Sequence, residues 1–377
     1  MRRDELRQPL RKRSTAERLW ARKPGALAAA ASLSLAGFIA GSVWLVRIPY
    51  PHAGEPVIIA VIPPAEELIT NTTLPAAEEP EEPVPEDLEL AAEPVTEDVA
   101  IIVPQRRPLL AAPVAAVMEE TPAGPLPRVG PGGKKSSDVY ARLTPLGVLN
   151  SDRPKIAILL GGMGLNAKLT AKAVKDLPPD ITFAFAPYGS DLQNQVNRAR
   201  AQGHEVLLQL PMEPVGYPAR NPGPKTLLAD ATEDENREAL HWHMSRFSGY
   251  TGVTNYMGGR FLTTPASLKP MFADIKRRGL VFLEDATIPL SSTAVTAKAA
   301  GLASRRAHIV IDADPDPASI ASALKQLETE AAANGLAIGT GAGLDVTIEA
   351  IAEWSRDLAE RGIVLVPVSA VYKGHAG

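Results

Sequence analysis

A scattered set of oxygen-bearing side chains and one glycine-rich stretch carry whatever chemistry this sequence can do. The stretch KIAILLGGMGLN, residues 155–166, ends an apolar run with Gly161 and Gly162. Further along come Gln209 and Glu213, then Asn255, Tyr256 and Arg260, then Glu284 and Asp285, then Asp312, Asp314 and Asp316, and finally Thr340 and Gly341. Each group follows an apolar run, so each falls where a strand would end. Carboxylates, amides and a guanidinium are costly in a core, and their gathering at strand ends implies a solvated cleft. Such residue types suit a sugar. Oxygens of Glu284, Asp285, Asp312 and Asp314 could hold a hard divalent ion such as Mg²⁺ or Ca²⁺. The competing reading is that these acids cap helices, as Asp314 would ahead of PDPASIASAL.

Histidine offers little for a metal. Of six, His52 and His375 lie outside the patterned region, and His204 and His308 open apolar runs rather than close them. His241 and His243 are two apart on a helical pattern and point away from each other. The absence of cysteine excludes disulfides and thiolate ligands. GGMG matches neither G-x-G-x-x-G nor G-x-x-x-x-G-K-[ST], so it is a poor phosphate cradle. It reads as a tight turn, or as a turn whose N–H groups meet a carboxylate or acetyl oxygen.

The elements that position these residues begin at Lys155. Apolar runs at 156–160, 181–186, 204–210, 252–255, 280–284, 308–312, 336–340 and 363–368 read as strands. Helical patterns fill most gaps: 167–176, 192–202, 234–247, 265–278, 317–333 and 344–361. Strand and helix in alternation imply a parallel sheet, and near-continuous apolar strands imply cover on both faces. The number of units favours a closed (β/α) barrel, with a doubly wound sheet as the alternative. Either way a ligand belongs at the C-terminal strand ends. The long loop 216–228 after the third strand has the length of a functional loop. Tyr188, Tyr217, Tyr256, Trp242 and Trp354 are aromatics that could stack on a sugar; helical spacing makes Trp242 and Trp354 better candidates for packing.

The N-terminal part differs in texture. Residues 1–23 hold nine Arg or Lys against three acids. An uncharged stretch opens at Pro24 and closes at Val46, long enough to cross a bilayer. The basic flank places the N-terminus in the cytoplasm and the remainder outside, as a single-pass anchor. A cleaved signal peptide is the rival, though the apolar run exceeds the usual core. Residues 47–150 read as a disordered linker: eighteen of the 35 prolines lie between Pro49 and Pro145, and residues 55–120 carry fifteen acids and two bases. Apolar clusters at 57–62 and 99–103 are either isolated or docking segments. A net charge of −4 gives no argument for nucleic acid.

Five segments, KIAILLGGMGLN, GHEVLLQLPMEP, GVTNYMGGRF, GLVFLEDAT and LAIGTGAGLDVTIEAI, resemble in order the blocks of the divergent polysaccharide deacetylase family, part of the NodB-like carbohydrate esterases. The resemblance spans about 155–371 and implies an α/β fold, a distorted (β/α) barrel of about seven strands over residues 151–373. The setting it implies is a bacterial inner membrane with a periplasmic domain. It implies metal-assisted removal of acetyl from an N-acetylated sugar, with zinc held by an Asp and two His, an Asp as base and a His as acid. The positions that would carry these groups hold Gly161 and Gly162 for an acidic pair, Gln209 for a His, Tyr256 for the His of Asn-His-Met-Gly, and Thr340 for the His of Gly-His-Pro. Glu284 and Asp312 fall near positions commonly acidic and are the remaining candidates for a metal. The expectation is therefore an envelope protein with no cofactor, whose cleft of Gly161, Gly162, Gln209, Glu213, Asn255, Tyr256, Arg260, Glu284, Asp285, Asp312 and Thr340 binds envelope glycan, peptidoglycan or an envelope protein without zinc chemistry. An active hydrolase with a rearranged oxygen-ligand site, and a regulatory module acting through the linker, are the alternatives.

Overall fold

The structure, a computed structural model, describes residues 105–372. The expected basic tail, the anchor at 24–46 and the first part of the linker lie outside the described residues. Among the described residues no helix is long and apolar enough to cross a membrane.

A parallel sheet forms the centre. Its strands are β3 (Lys155–Met163), β4 (Thr182–Phe185), β5 (Val206–Met212), β6 (Gly252–Met257), β7 (Val281–Glu284), β8 (Ser304–Arg306), β9 (Ile309–Val310), β10 (Leu336–Ala342) and β11 (Val364–Leu365). The hairpin β1 (Met118–Thr121) and β2 (Gly124–Pro127) precedes it. The order is β8-β7-β6-β5-β4-β3-β10-β9, with β11 paired to the start of β3. The two ends of that order, β8 and β9, are separated by only Ala307 and His308. The sheet therefore curls until one short chain segment lies against β7 on one side and β10 on the other. Strands β3 to β5 are apolar almost throughout because both faces are covered: Ile156, Ile158, Leu160, Phe183, Phe185 and Leu208 face one buried cluster, and Ala157, Leu159, Ala184 and Leu207 the other.

Among the described residues seven helices flank the sheet: α1 (Ala167–Asp176), α2 (Leu192–Ala201), α3 (Glu233–Met244), α4 (Pro265–Arg277), α5 (Thr293–Ala300), α6 (Pro317–Asn334) and α7 (Asp345–Trp354). Their starts are legible in the chain. Asn166 accepts from Lys168 N and Leu169 N, and Thr232 with Glu235 forms a capping box. For α6 the cap is Asp316, which accepts from Ala318 N and Ser319 N; Asp314, the expected cap, instead accepts from Ser319 Oγ.

Two expectations are corrected. The apolar run at 156–160 does not stop at the glycines: β3 continues to Met163, with a register shift against β4 between Leu160 and Met163. Gly162, at φ 74°, takes up this bulge. The other concerns the last part of the expected linker, which is structured. Residues 105–150 contain the hairpin and two single helical turns, Ser136–Val139 and Leu146–Leu149. Arginines tie this segment to the sheet domain. Buried Arg200 donates to Leu110 O, Tyr140 O and Gly249 O, and Arg278 donates to Pro127 O and Glu119. Carbonyls, which any sequence supplies, take most of these bonds, so a proline-rich composition concealed the packing.

Candidate functional site

The C-terminal strand ends enclose a small cleft lined by Gly161, Gly162, Gln209, Asn255, Tyr256, Asp285, Asp312 and Thr340, with Thr254, Thr287 and Gly341 among the other lining residues. Its free space is about 40 Å³, room for a few waters and too little for a sugar ring, which would have to rest across the mouth.

On the β3 side the glycines and Gln209 form one unit. Gln209 Oε1 accepts from Gly162 N at 2.9 Å. A Cβ built at Gly161 would stand 2.8 Å from Gln209 Nε2, closer than side chains tolerate. The amide of Gln209 therefore occupies the room that an acidic side chain at 161 would need. Two N–H groups of the glycine turn are already taken, Gly162 N by Gln209 and Gly164 N by Thr170 Oγ1, which leaves it less able to cradle an anion.

On the β6 and β7 side, Asn255 is fully buried and spent on the backbone. Its Nδ2 donates to Met257 O, where φ is 58°, and its Oδ1 accepts from Asp285 N. Asn255 thus sets the backbone position from which Asp285 projects. Asp285 Oδ1 accepts from Thr287 N at 2.9 Å and Thr287 Oγ1 at 2.7 Å. Burial pushes this carboxyl up to about 6, against the opposing effect of the Thr287 and Asn255 bonds, and the neighbouring Glu284 adds to the rise. Thr340 Oγ1 donates to Asp285 O at 2.6 Å, linking β10 to β7 across the cleft.

Asp312 sits just past β9 and is 4% exposed. Its Oδ2 accepts from Ala342 N at 2.7 Å and Thr347 Oγ1 at 2.8 Å, while its Oδ1 has no partner. Burial raises this carboxyl too, with the two bonds opposing. Thr254, 1% exposed, also lines the cleft with an unpartnered Oγ1. Sequence reasoning missed it because GVTN reads as an ordinary buried strand; Thr287 was missed because its role appears only through Asp285.

Three expected cleft residues are elsewhere. Glu284 is 1% exposed and committed to Arg306 Nε at 3.0 Å and Ser291 Oγ at 2.7 Å, so it is not available to a metal in the cleft. Period-two alternation along β7 explains this: Glu284 and Asp285 cannot both face inward. Glu213 accepts from Ala229 N and from Arg260 Nη1, and Arg260 Nη2 reaches Asp230 at 2.6 Å. Glu213 and Arg260 therefore clamp the loops after β5 and β6 rather than line the cleft.

The zinc set implied by the family pattern does not fit these residues. Among the described residues no group of three His, Cys, Asp or Glu is arranged to hold a metal ion. The described histidines serve the scaffold: His204 stacks on Phe183 and bonds Ile181 O, His243 bonds Lys225 O, His241 pairs with Asp274, and His308 Nδ1 accepts from Ile338 N. Of the aromatics, only Tyr256 lines the cleft. Tyr188 is anchored to Pro224 O and Trp354 to Glu328, while Trp242 carries the Arg246 guanidinium 5.0 Å from its ring centre.

Comparison with known proteins agrees with this architecture. The model of the divergent polysaccharide deacetylase family matches residues 158–372. The solved structure of an uncharacterized protein from Agrobacterium tumefaciens is 43% identical, with a TM-score of 0.63, over 66% of this chain and 99% of that one. An uncharacterized protein from Haemophilus influenzae is 26% identical over 206 residues, 55% of this chain and 72% of its own length. YibQ from Escherichia coli, also uncharacterized, is 23% identical over 218 residues, 58% of this chain and 67% of its own.

Proposed function

The chain belongs to the divergent polysaccharide deacetylase family, and from that premise we propose that it is a membrane-anchored envelope protein whose cleft binds glycan without zinc-dependent deacetylation. The observation that carries this reading is the Gly161–Gln209 unit. One expected acidic position has no side chain, and the residue at the expected histidine fills the vacated room with an amide. The substitutions compensate one another sterically, so the cleft is rebuilt rather than eroded. Acceptors of Asp285 and Asp312, the Gln209 amide and the Tyr256 ring remain on its lining for a polyhydroxylated ligand laid across the mouth. Anchoring and a periplasmic location are supported by the uncharged stretch from Pro24 to Val46 behind a basic flank.

The test is sedimentation of the purified full chain with peptidoglycan sacculi, wild type against Tyr256→Ala. Co-sedimentation lost in the variant supports the cleft; equal binding by both moves the contact elsewhere. A second reading, an active hydrolase with a rearranged site, draws on Asp285, whose carboxyl near 6 suits a general base. Release of acetate from N-acetylated oligosaccharides, abolished by Asp285→Asn, would establish it.

A further inference from the structure

We propose that the cleft selects a protonated primary amine, the group an amino sugar bears where its acetyl substituent has been removed; this rests on the glycan reading above. The lining holds two carboxylates, Asp285 and Asp312, and no Lys, Arg or His. Asp312 is the sharper clue. It is 4% exposed, its Oδ2 is doubly satisfied, and its Oδ1 has no donor. A buried carboxylate oxygen left without a partner is costly, and a ligand that supplies a donor recovers that cost. Thr254 Oγ1 offers a second unpartnered oxygen in the same cleft.

An ammonium group matches this arrangement in charge, donor number and size. It brings three N–H donors and one positive charge to a site built of acceptors. The free space of about 40 Å³ takes a group of that size with a water beside it. An acetamido group brings one N–H and no charge, and leaves two carboxylates uncompensated. The amide donor on the lining, Gln209 Nε2, lies against Gly161 on the β3 side, where it can serve a sugar hydroxyl.

The experiment is calorimetric titration of the full chain with a glucosamine tetramer and with its fully N-acetylated counterpart at one fixed salt concentration. Residues 55–120 carry fifteen acids and attract any polycation, so the quantity read is the change caused by Asp312→Asn and, independently, by Asp285→Asn, each checked for folding by circular dichroism. The expected result is that the amine form binds about tenfold more tightly than the acetylated form, and that either variant removes most of this preference. Equal or tighter binding of the acetylated tetramer, still lost in Tyr256→Ala, would overturn the amine inference and leave the glycan reading standing. Binding of neither tetramer would overturn both. An oligolysine peptide that binds more tightly than the glucosamine tetramer, in an Asp312-dependent way, would overturn the sugar as the source of the amine.

Discussion

Placing a methyl group at position 161 probes the rebuilt cleft wall directly. In Gly161→Ala the new Cβ would meet Gln209 Nε2 at 2.8 Å. The backbone there is not in the left-handed region, so the penalty comes from the contact and not from strain. Gln209 can escape only by swinging away, which breaks its 2.9 Å bond from Gly162 N. That leaves an amide N–H in a bulge without its acceptor, at a cost of about 1–3 kcal/mol. Gln209→Ala loses the same bond and should cost a similar amount. In the double variant the clash is gone and the bond is lost only once, so the two effects should fall short of additive by about 1–2 kcal/mol. Urea denaturation of the full chain, wild type and three variants, measures the cycle. Additivity within about 0.5 kcal/mol would refute the claim that Gln209 fills the place of the missing side chain.

Other expectations follow from the same contacts. Asp285 is raised from 3.8 to about 6, so the folded state binds its proton more tightly than the unfolded chain. Its contribution is present below pH 4 and is lost as pH rises through 6, a difference of up to about 3 kcal/mol. Asp285→Asn should therefore gain stability relative to wild type between pH 4 and 7, and parallel pH–stability curves would contradict the shift. Arg200→Ala strips donors from Leu110 O, Tyr140 O and Gly249 O; it should cost about 3 kcal/mol or more and open residues 105–150 to limited proteolysis. An unchanged digestion pattern would mean that this arginine does not hold the segment. Gly162→Asp must adopt φ 74°; it should lose about 1 kcal/mol and still bind no zinc by elemental analysis, because none of the described histidines lines the cleft.

Much of the sheet could be read from residue type. Long buried strands such as β3 and β10 announce themselves because both faces are covered. Helix starts at Asn166 and Thr232 follow from side chains that satisfy their own backbone, whereas α6 is capped by Asp316 and not by the expected Asp314. The shortest edge element was not legible: β8 is three residues, whereas β9 falls inside the run at 308–312, and the importance of the two lies in where the sheet ends meet. The hairpin was hidden because its composition is that of a linker. At the site, strand-end position alone placed Gly161, Gln209, Tyr256, Asp285 and Asp312 in the cleft. It failed for Glu284, which faces Arg306, and for Glu213 and Arg260, which find each other across two loops. Side-chain direction within one residue of a strand end depends on bulges and partners that no local pattern encodes.

The central claim, a deacetylase-family cleft that binds without zinc hydrolysis, is tested most directly by one combined assay. The purified full chain is saturated with Zn²⁺, dialysed, analysed for bound metal, and incubated with N-acetylated glycan while free acetate is measured. The account expects metal well below one ion per chain and no acetate above the buffer control. One zinc per chain together with acetate release that grows with protein concentration would contradict it.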